Sequence, residues 1–155
     1  MTDGDLLRTL DGAGISYEEL AHERTERAAD EAERLGVSPA EVAKTLVLST
    51  PTGNVRAVLA AADRLDLHKV RELVGGGKRT RLLTEEDLGR DYPEFELGAV
   101  PPFSGAHRDR VIVDRRLADQ TSIVLEAGSH VQSIRLATAD LVRLTEAEVA
   151  DITED

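Results

Sequence analysis

The chemistry available to this chain rests on lysine, glycine, proline and histidine, because it contains no cysteine. Lys44 stands immediately before the apolar run Thr45–Ser49 (TLVLS). From the rim of a sheet its ammonium could act as a compact point charge toward an anionic group. The alternative is a solvated strand-end charge, and the residue alone leaves both readings open. Further along, Gly98-Ala99-Val100-Pro101-Pro102-Phe103 joins two strand-like stretches. Glycine reaches backbone angles closed to other residues, while successive prolines fix φ and carry no N–H. The segment is therefore expected to be a rigid, shaped loop, serving either as a ligand wall or as a plain turn.

Other constellations find little support. His22, His68, His107 and His130 are dispersed, with neither an HExxH pair nor a His/Cys cluster, so no metal site is expected. Ser104-Gly105 and Ser129-His130 lack a GxSxG elbow. Gly75-Gly76-Gly77 has neither phosphate-loop spacing and reads as a helix stop. No organic cofactor is implied.

The elements that must position these residues alternate without repeat or linker, so residues 1–155 are expected to form one domain. Asp3–Ala13 reads as a short helix, Ile15–Leu20 as an extended piece and Thr25–Leu35 as an amphipathic helix closed by Gly36. Ser38-Pro39-Ala40-Glu41 has capping-box form and predicts a brief helix delivering the chain to Lys44. Thr45–Ser49 and Val55–Ala61, separated by Pro51–Asn54, predict a hairpin. Asp66–Val74 and the segment opening at Thr84-Glu85-Glu86-Asp87 predict helices. Arg110–Asp114, Ser122–Glu126 and Gln132–Ala137 predict strands, and Thr138–Leu144 a last helix. This order indicates an α+β domain with a mixed, mainly antiparallel sheet rather than a doubly wound parallel fold.

Composition sets the bounds. A chain of 155 residues can bury about 70% of the surface its unfolded form exposes. Two Tyr, two Phe and no Trp leave that core to aliphatic side chains and disfavour base stacking as a binding mode. The start MTDGDLLRTLDGAG has no leader pattern, and no run is long and apolar enough to span a bilayer. With the absence of cysteine, this sets a cytoplasmic expectation. The net charge of −11 disfavours a polyanionic partner overall. Both ends are acidic, however, whereas Asp63–Arg81 carries six basic residues against three acids, and Arg108, Arg110, Arg115 and Arg116 follow the proline loop.

Read together, Lys44-Thr45-Leu46, Gly98-x-x-x-Pro102, Val111-Ile112-Val113-Asp114, Gly128-Ser129-His130 and Ser133-Ile134-Arg135-Leu136 into Ala139-Asp140-Leu141 carry a resemblance. Their order and spacing resemble the YbaK/prolyl-tRNA-synthetase-associated domain, the family of trans-editing aminoacyl-tRNA deacylases. The resemblance covers essentially the whole chain and implies a bent, barrel-like mixed sheet with surrounding helices.

It also implies roles. Lys44 would hold the phosphate or ribose of the terminal adenosine, and Gly98 and Pro102 would set backbone groups around the aminoacyl ester. Asp114 and His130 match further family positions and are expected, with Lys44 and Gly98, in the catalytic group; His130 would either be catalytic or serve to tune the pocket or bind the amino acid without being a general base. Val100, Pro101, Pro102, Phe103 and Gly128 would line or support the substrate, with Val47 or Leu59 joining them if they face it. The implied reaction is hydrolysis of a small wrong amino acid, alanine or cysteine, from proline tRNA by a monomer needing no cofactor. Prolyl-tRNA synthetase or an elongation factor would be further partners. The alternatives are a non-catalytic tRNA- or synthetase-binding module and a small-ligand sensor on the same fold.

Overall fold

The apolar run after Lys44 and the apolar stretch that pairs with it organise the molecule. In the computed structural model, which describes residues 4–25 and 27–155, strands β2 (Ala43–Thr50) and β3 (Gly53–Ala60) pair antiparallel across Pro51 and Thr52. Gly53 takes φ +126 and Thr50 Oγ1 donates to its carbonyl, closing the turn. Every residue from Val55 to Ala60 is buried, so β3 is covered on both faces.

The remaining strands are β1 (Tyr17–Ala21), β4 (Arg81–Leu82), β5 (Arg110–Asp114), β6 (Ser122–Ser129), β7 (Gln132–Ala137) and β8 (Glu148–Ala150). They form two sheets, ordered β1-β7-β6 and β4-β2-β3-β5-β8. The first is antiparallel, whereas in the second β5 runs parallel to both β3 and β8. A lone parallel bridge between Val42 and Val124 joins the sheets. The result is the expected α+β architecture with mixed sheets, but among the described residues the strands form two sheets and do not close into a barrel.

Among the described residues six α-helices surround the sheets: α1 (Gly4–Gly12), α2 (Ala28–Leu35), α3 (Leu67–Val74), α4 (Glu85–Asp91), α5 (Arg115–Ala118) and α6 (Thr138–Thr145). Leu6 and Leu10 of α1 and Leu141 of α6 are fully buried among Ile123, Leu125, Ile134 and Leu136. Each leucine contributes roughly 1.5 to 3 kcal/mol through its burial. Val70 of α3 covers the other face with Leu48, Val55, Ala57, Ile112 and Ile152. Asp66 caps α3 by accepting from His68 N and Lys69 N, and Thr84 with Asp87 forms the capping box of α4.

Several local expectations differ from the fold. Ser38–Glu41 makes a single turn instead of a helix. Glu41 N donates to Ser38 O, but Glu41 O already accepts from Val124 N, so sheet pairing takes the carbonyl a helix would need. The second helix begins at Ala28; Thr25 is held apart by donating its N–H to His130 O. Residue 26, inside that expected helix, and Asp3, at the start of the first, lie outside the described residues. The sequence patterns also pass over β4, α5 and β8, each two to four residues long.

Candidate active site

The strand holding Lys44 has an unpaired outer edge. Val42 is bridged to Val124 on one side of this gap, and Leu83 N donates to Val47 O on the other. Backbone groups alternate in direction along a strand, and Val47 O faces outward. The N–H and C=O of Thr45 therefore face the same open edge. A cleft of about 440 Å³ lies along this gap, bounded by Lys44, Thr45 and Val47 of β2, Ala28 at the start of α2, and Gly98 and Val100. A recess of about 30 Å³ adjoins it behind the loop, where Lys44, Gly98, Val100, Pro101, Pro102 and Glu126 converge. Such a space holds one or two small groups.

Lys44 is half-buried, and among the described residues its ammonium has no hydrogen-bond or ion-pair partner. Burial pushes its pKa down, opposed by the charge of Asp63, while Arg64 adds to the lowering. Desolvation makes the bare cation receptive to an anionic ligand, which would restore the solvation lost.

The loop facing it is braced at both ends. Gly98 takes φ +82, a conformation that favours glycine, and a Cβ built there would meet His130 Cε1 only at ordinary contact distance, 3.5 Å, so the backbone angle is what calls for glycine. His130 is buried, its Nε2 lying 2.5 Å from Leu97 O and its Nδ1 2.9 Å from Glu126 Oε2. A carbonyl only accepts, so Nε2 donates, while Nδ1 is hydrogen-bonded to the carboxylate. Both ring nitrogens are committed, and His130 lines neither the cleft nor the recess. Its backbone N–H donates to Glu96 Oε2 at 2.6 Å, holding that carboxyl below its usual range, while Gly128 O accepts from Glu96 N. Gly128 is buried with φ +91 at the bulge of β6. Together these contacts fasten residues 96–98 to the end of the β6–β7 hairpin.

The far end hangs from Arg56, a fully buried arginine in the middle of β3. Its guanidinium donates to Asp109 Oδ2 (2.9 Å), Pro101 O (2.8 Å), Ser104 O (3.0 Å) and His107 O (3.2 Å). It also lies over the Tyr92 ring, 5.4 Å from the centroid. Tyr92 Oη donates to the same Asp109 oxygen and accepts from Asn54 Nδ2, and burial ahead of Asp109 pushes its phenol up to about 12. Within the loop, Ala99 N donates to Glu96 O. The N–H groups of Gly98 and Val100 have no acceptor among the described residues.

The structure therefore brings Lys44, Gly98, Val100, Pro101 and Pro102 together. It places Phe103 in the main core and His130 and Gly128 behind the loop. Asp114 is fully buried and lines neither cavity; it accepts from Arg116 N, Ile152 N and Thr153 Oγ1, capping α5 and fastening the C-terminal segment. Val47 lines the cleft and Leu59 does not. Thr45, Ala28, Glu126 and Arg56 were not singled out by the sequence. For Arg56 a signal existed: a lone cation in the otherwise apolar VRAVLAA strand must be paired if buried.

An apolar cleft with a half-buried lysine, facing a glycine-proline loop whose Gly98 and Val100 amides have no acceptor among the described residues, defines a small α+β domain with a candidate ligand site. The aminoacyl-tRNA editing domain model matches residues 22–144, and the chain belongs to that family, whose activity is deacylation of aminoacyl-tRNA. The chain is 28% identical over 123 residues to EbsC of Enterococcus faecalis, described as a candidate Cys-tRNA(Pro)/Cys-tRNA(Cys) deacylase. That match covers 79% of this chain and 74% of EbsC. YwhH of Bacillus subtilis, of uncharacterised function, is 29% identical over 126 residues, covering 80% and 78%. Among solved structures, a candidate trans-editing enzyme for prolyl-tRNA synthetase superposes with TM-score 0.86 at 26% identity, covering 99% of this chain and 94% of that one. The hypothetical protein APE2540 gives TM-score 0.87 at 26% identity, covering 97% and 99%. Among the described residues no helix is long and apolar enough to cross a membrane.

Proposed function

We propose that this domain removes a small, wrongly attached amino acid, alanine foremost, from proline tRNA. The observation that carries this reading is the pairing of the partnerless Lys44 with a loop whose recess has room for only about 30 Å³. Lys44 would take the terminal phosphate or ribose, leaving the ester beside Gly98–Pro102 and the amino-acid side chain in the recess. A methyl group fits such a space, and each further methylene is discriminated by roughly 1 to 3 kcal/mol. The tRNA identity is supported by the likeness to EbsC and to the prolyl-tRNA-synthetase-related structure.

Chemically, water adds to the ester carbonyl, and the negative oxygen of the tetrahedral intermediate accepts from the Gly98 or Val100 N–H. The ribose oxygen then leaves with the proton that the water lost, passed through the neighbouring ribose hydroxyl as the family resemblance implies. Aminoacyl esters are already labile, so orientation and oxyanion contacts suffice without a side-chain nucleophile. The test is deacylation of tRNAs charged with alanine, cysteine, serine, threonine and proline by wild type and Lys44→Ala. Wild type should release alanine fastest, and Lys44→Ala should lose about 100-fold in kcat/KM without a change in Tm. Wild-type inactivity across the panel overturns the reading. Retarded tRNA with intact ester would instead indicate a binding module, and stabilisation by free amino acid alone a ligand sensor.

A further inference from the structure

We infer that Arg56 is the positioning residue that sets the recess behind the loop and so the choice of amino acid; this rests on the deacylase reading above. Arg56 touches neither cavity at the cleft, yet its Nη1 holds the carbonyl of Pro101, which is itself a wall of the recess. Pro101 and Pro102 have no N–H, so carbonyl contacts are the main polar means of fixing this stretch of backbone. Arg56 supplies such contacts at three places, Pro101, Ser104 and His107, and its charge is balanced by Asp109. Ser104 takes φ +79, a conformation uncommon for a non-glycine residue, and its carbonyl is one of the three held. The guanidinium lies over the Tyr92 ring, and the Tyr92 hydroxyl donates to Asp109, its ion-pair partner.

The chemistry of the fork makes the assignment specific. A planar guanidinium can donate in several fixed directions at once, whereas a lysine ammonium is a single point on a flexible stem. Lysine at position 56 could keep the ion pair with Asp109, but it could not span the carbonyls of residues 101, 104 and 107 together. The charge balance would survive while the loop lost its template. A loosened Pro101 would enlarge the recess, admitting larger side chains and holding small ones poorly. Arg56 thus acts through the loop, and selectivity is the property it governs.

The experiment compares wild type, Arg56→Lys, Tyr92→Phe and the core variant Ile152→Ala, which destabilises the molecule on the face away from the loop. For each, kcat and KM are measured with alanyl- and threonyl-tRNA(Pro), together with amide hydrogen exchange over residues 97–106. Arg56→Lys should lower kcat for alanine at least 10-fold with KM within about 3-fold. It should also shrink the alanine-to-threonine ratio of kcat/KM at least 10-fold and speed exchange in the loop. Tyr92→Phe should move the ratio in the same direction by a smaller factor, and Ile152→Ala should lower Tm with the ratio unchanged. A wild-type ratio and wild-type loop exchange in Arg56→Lys overturn the inference. Should Arg56→Lys fail to fold, an unmoved ratio and unmoved loop exchange in Tyr92→Phe overturn it equally. Exchange requires no substrate, so the loop assignment is decided even if wild type deacylates nothing; that outcome would sink the deacylase reading and the selectivity role with it.

Discussion

Gly98 shows at residue scale how a backbone angle alone can fix a residue type. Its φ of +82 is costly for any L side chain, whereas a methyl there would meet His130 only at an ordinary 3.5 Å contact. Gly98→Ala is expected to cost about 1 to 2 kcal/mol of stability. It should cost more in catalysis, because relief of the strain turns the Gly98 and Val100 amides away from the ester. Thermal unfolding and steady-state kinetics on alanyl-tRNA(Pro) check this: turnover should fall by about 10-fold or more while KM stays unchanged. His130 belongs to the same geometry. With one nitrogen on Leu97 O and the other on Glu126, both its ring nitrogens are engaged in bracing the loop.

At the scale of elements, α2 is the wall whose attachment is most sensitive to pH. Glu31 on its inner face is fully buried and accepts from Ser133 Oγ of β7, while His22 Nε2 lies 2.9 Å from the same hydroxyl. The second carboxyl oxygen of Glu31 has no partner among the described residues. Burial raises its pKa from the ordinary 4.5 to about 7, against the lowering effect of the Ser133 bond. The folded chain therefore holds a proton that the unfolded chain releases over this window, so this contribution to stability falls as pH rises from about 4.5 to about 7. Above the folded value the penalty is complete, on the order of 3 kcal/mol. Glu31→Gln should remove the slope, so the variant's Tm should rise relative to wild type between about pH 5 and pH 8. Parallel melting curves for the two proteins would contradict this. Because Ala28 of the same helix borders the cleft, the slope bears on the site as well as on the fold.

The whole molecule is tied together from its C-terminal end. β8 pairs with β5, Ile152 enters the core beneath α3, and Ile152 N and Thr153 Oγ1 supply two of the three donors to buried Asp114. Removing residues 148–155 would leave that carboxylate short of partners and expose the edge of β5. The truncated chain is expected to lose its cooperative unfolding transition, while Asp114→Asn retains one lowered by about 2 to 4 kcal/mol, as calorimetry would show. This also explains what could be read in advance. The hairpin, the helix at Asp66 and the Lys44 and Gly98 positions were legible because they rest on local patterns: apolar runs, caps and glycine-proline chemistry. The short β8 leaves no periodicity to see, and the turn at Ser38 yielded to a sheet bond made with Val124, far along the chain. Arg56 carried a signal as the lone cation of an apolar strand, but its partners at residues 101, 104, 107 and 109 meet it only through tertiary folding. Asp114 stood out by its family position, and only the packing places it in the scaffold.

The open edge of β2 has one more consequence. Unpaired strand edges invite foreign strands and the growth of fibres. Here the gap runs only from the Val42 bridge to the bond at Val47, with the outward groups of Thr45 at its centre. An intruding strand would find too few successive bonds to hold its register, whereas a compact ester would need only one or two. On the proposed reading the length of the gap would act as a filter on the shape of what binds, admitting a small ligand and turning away another polypeptide.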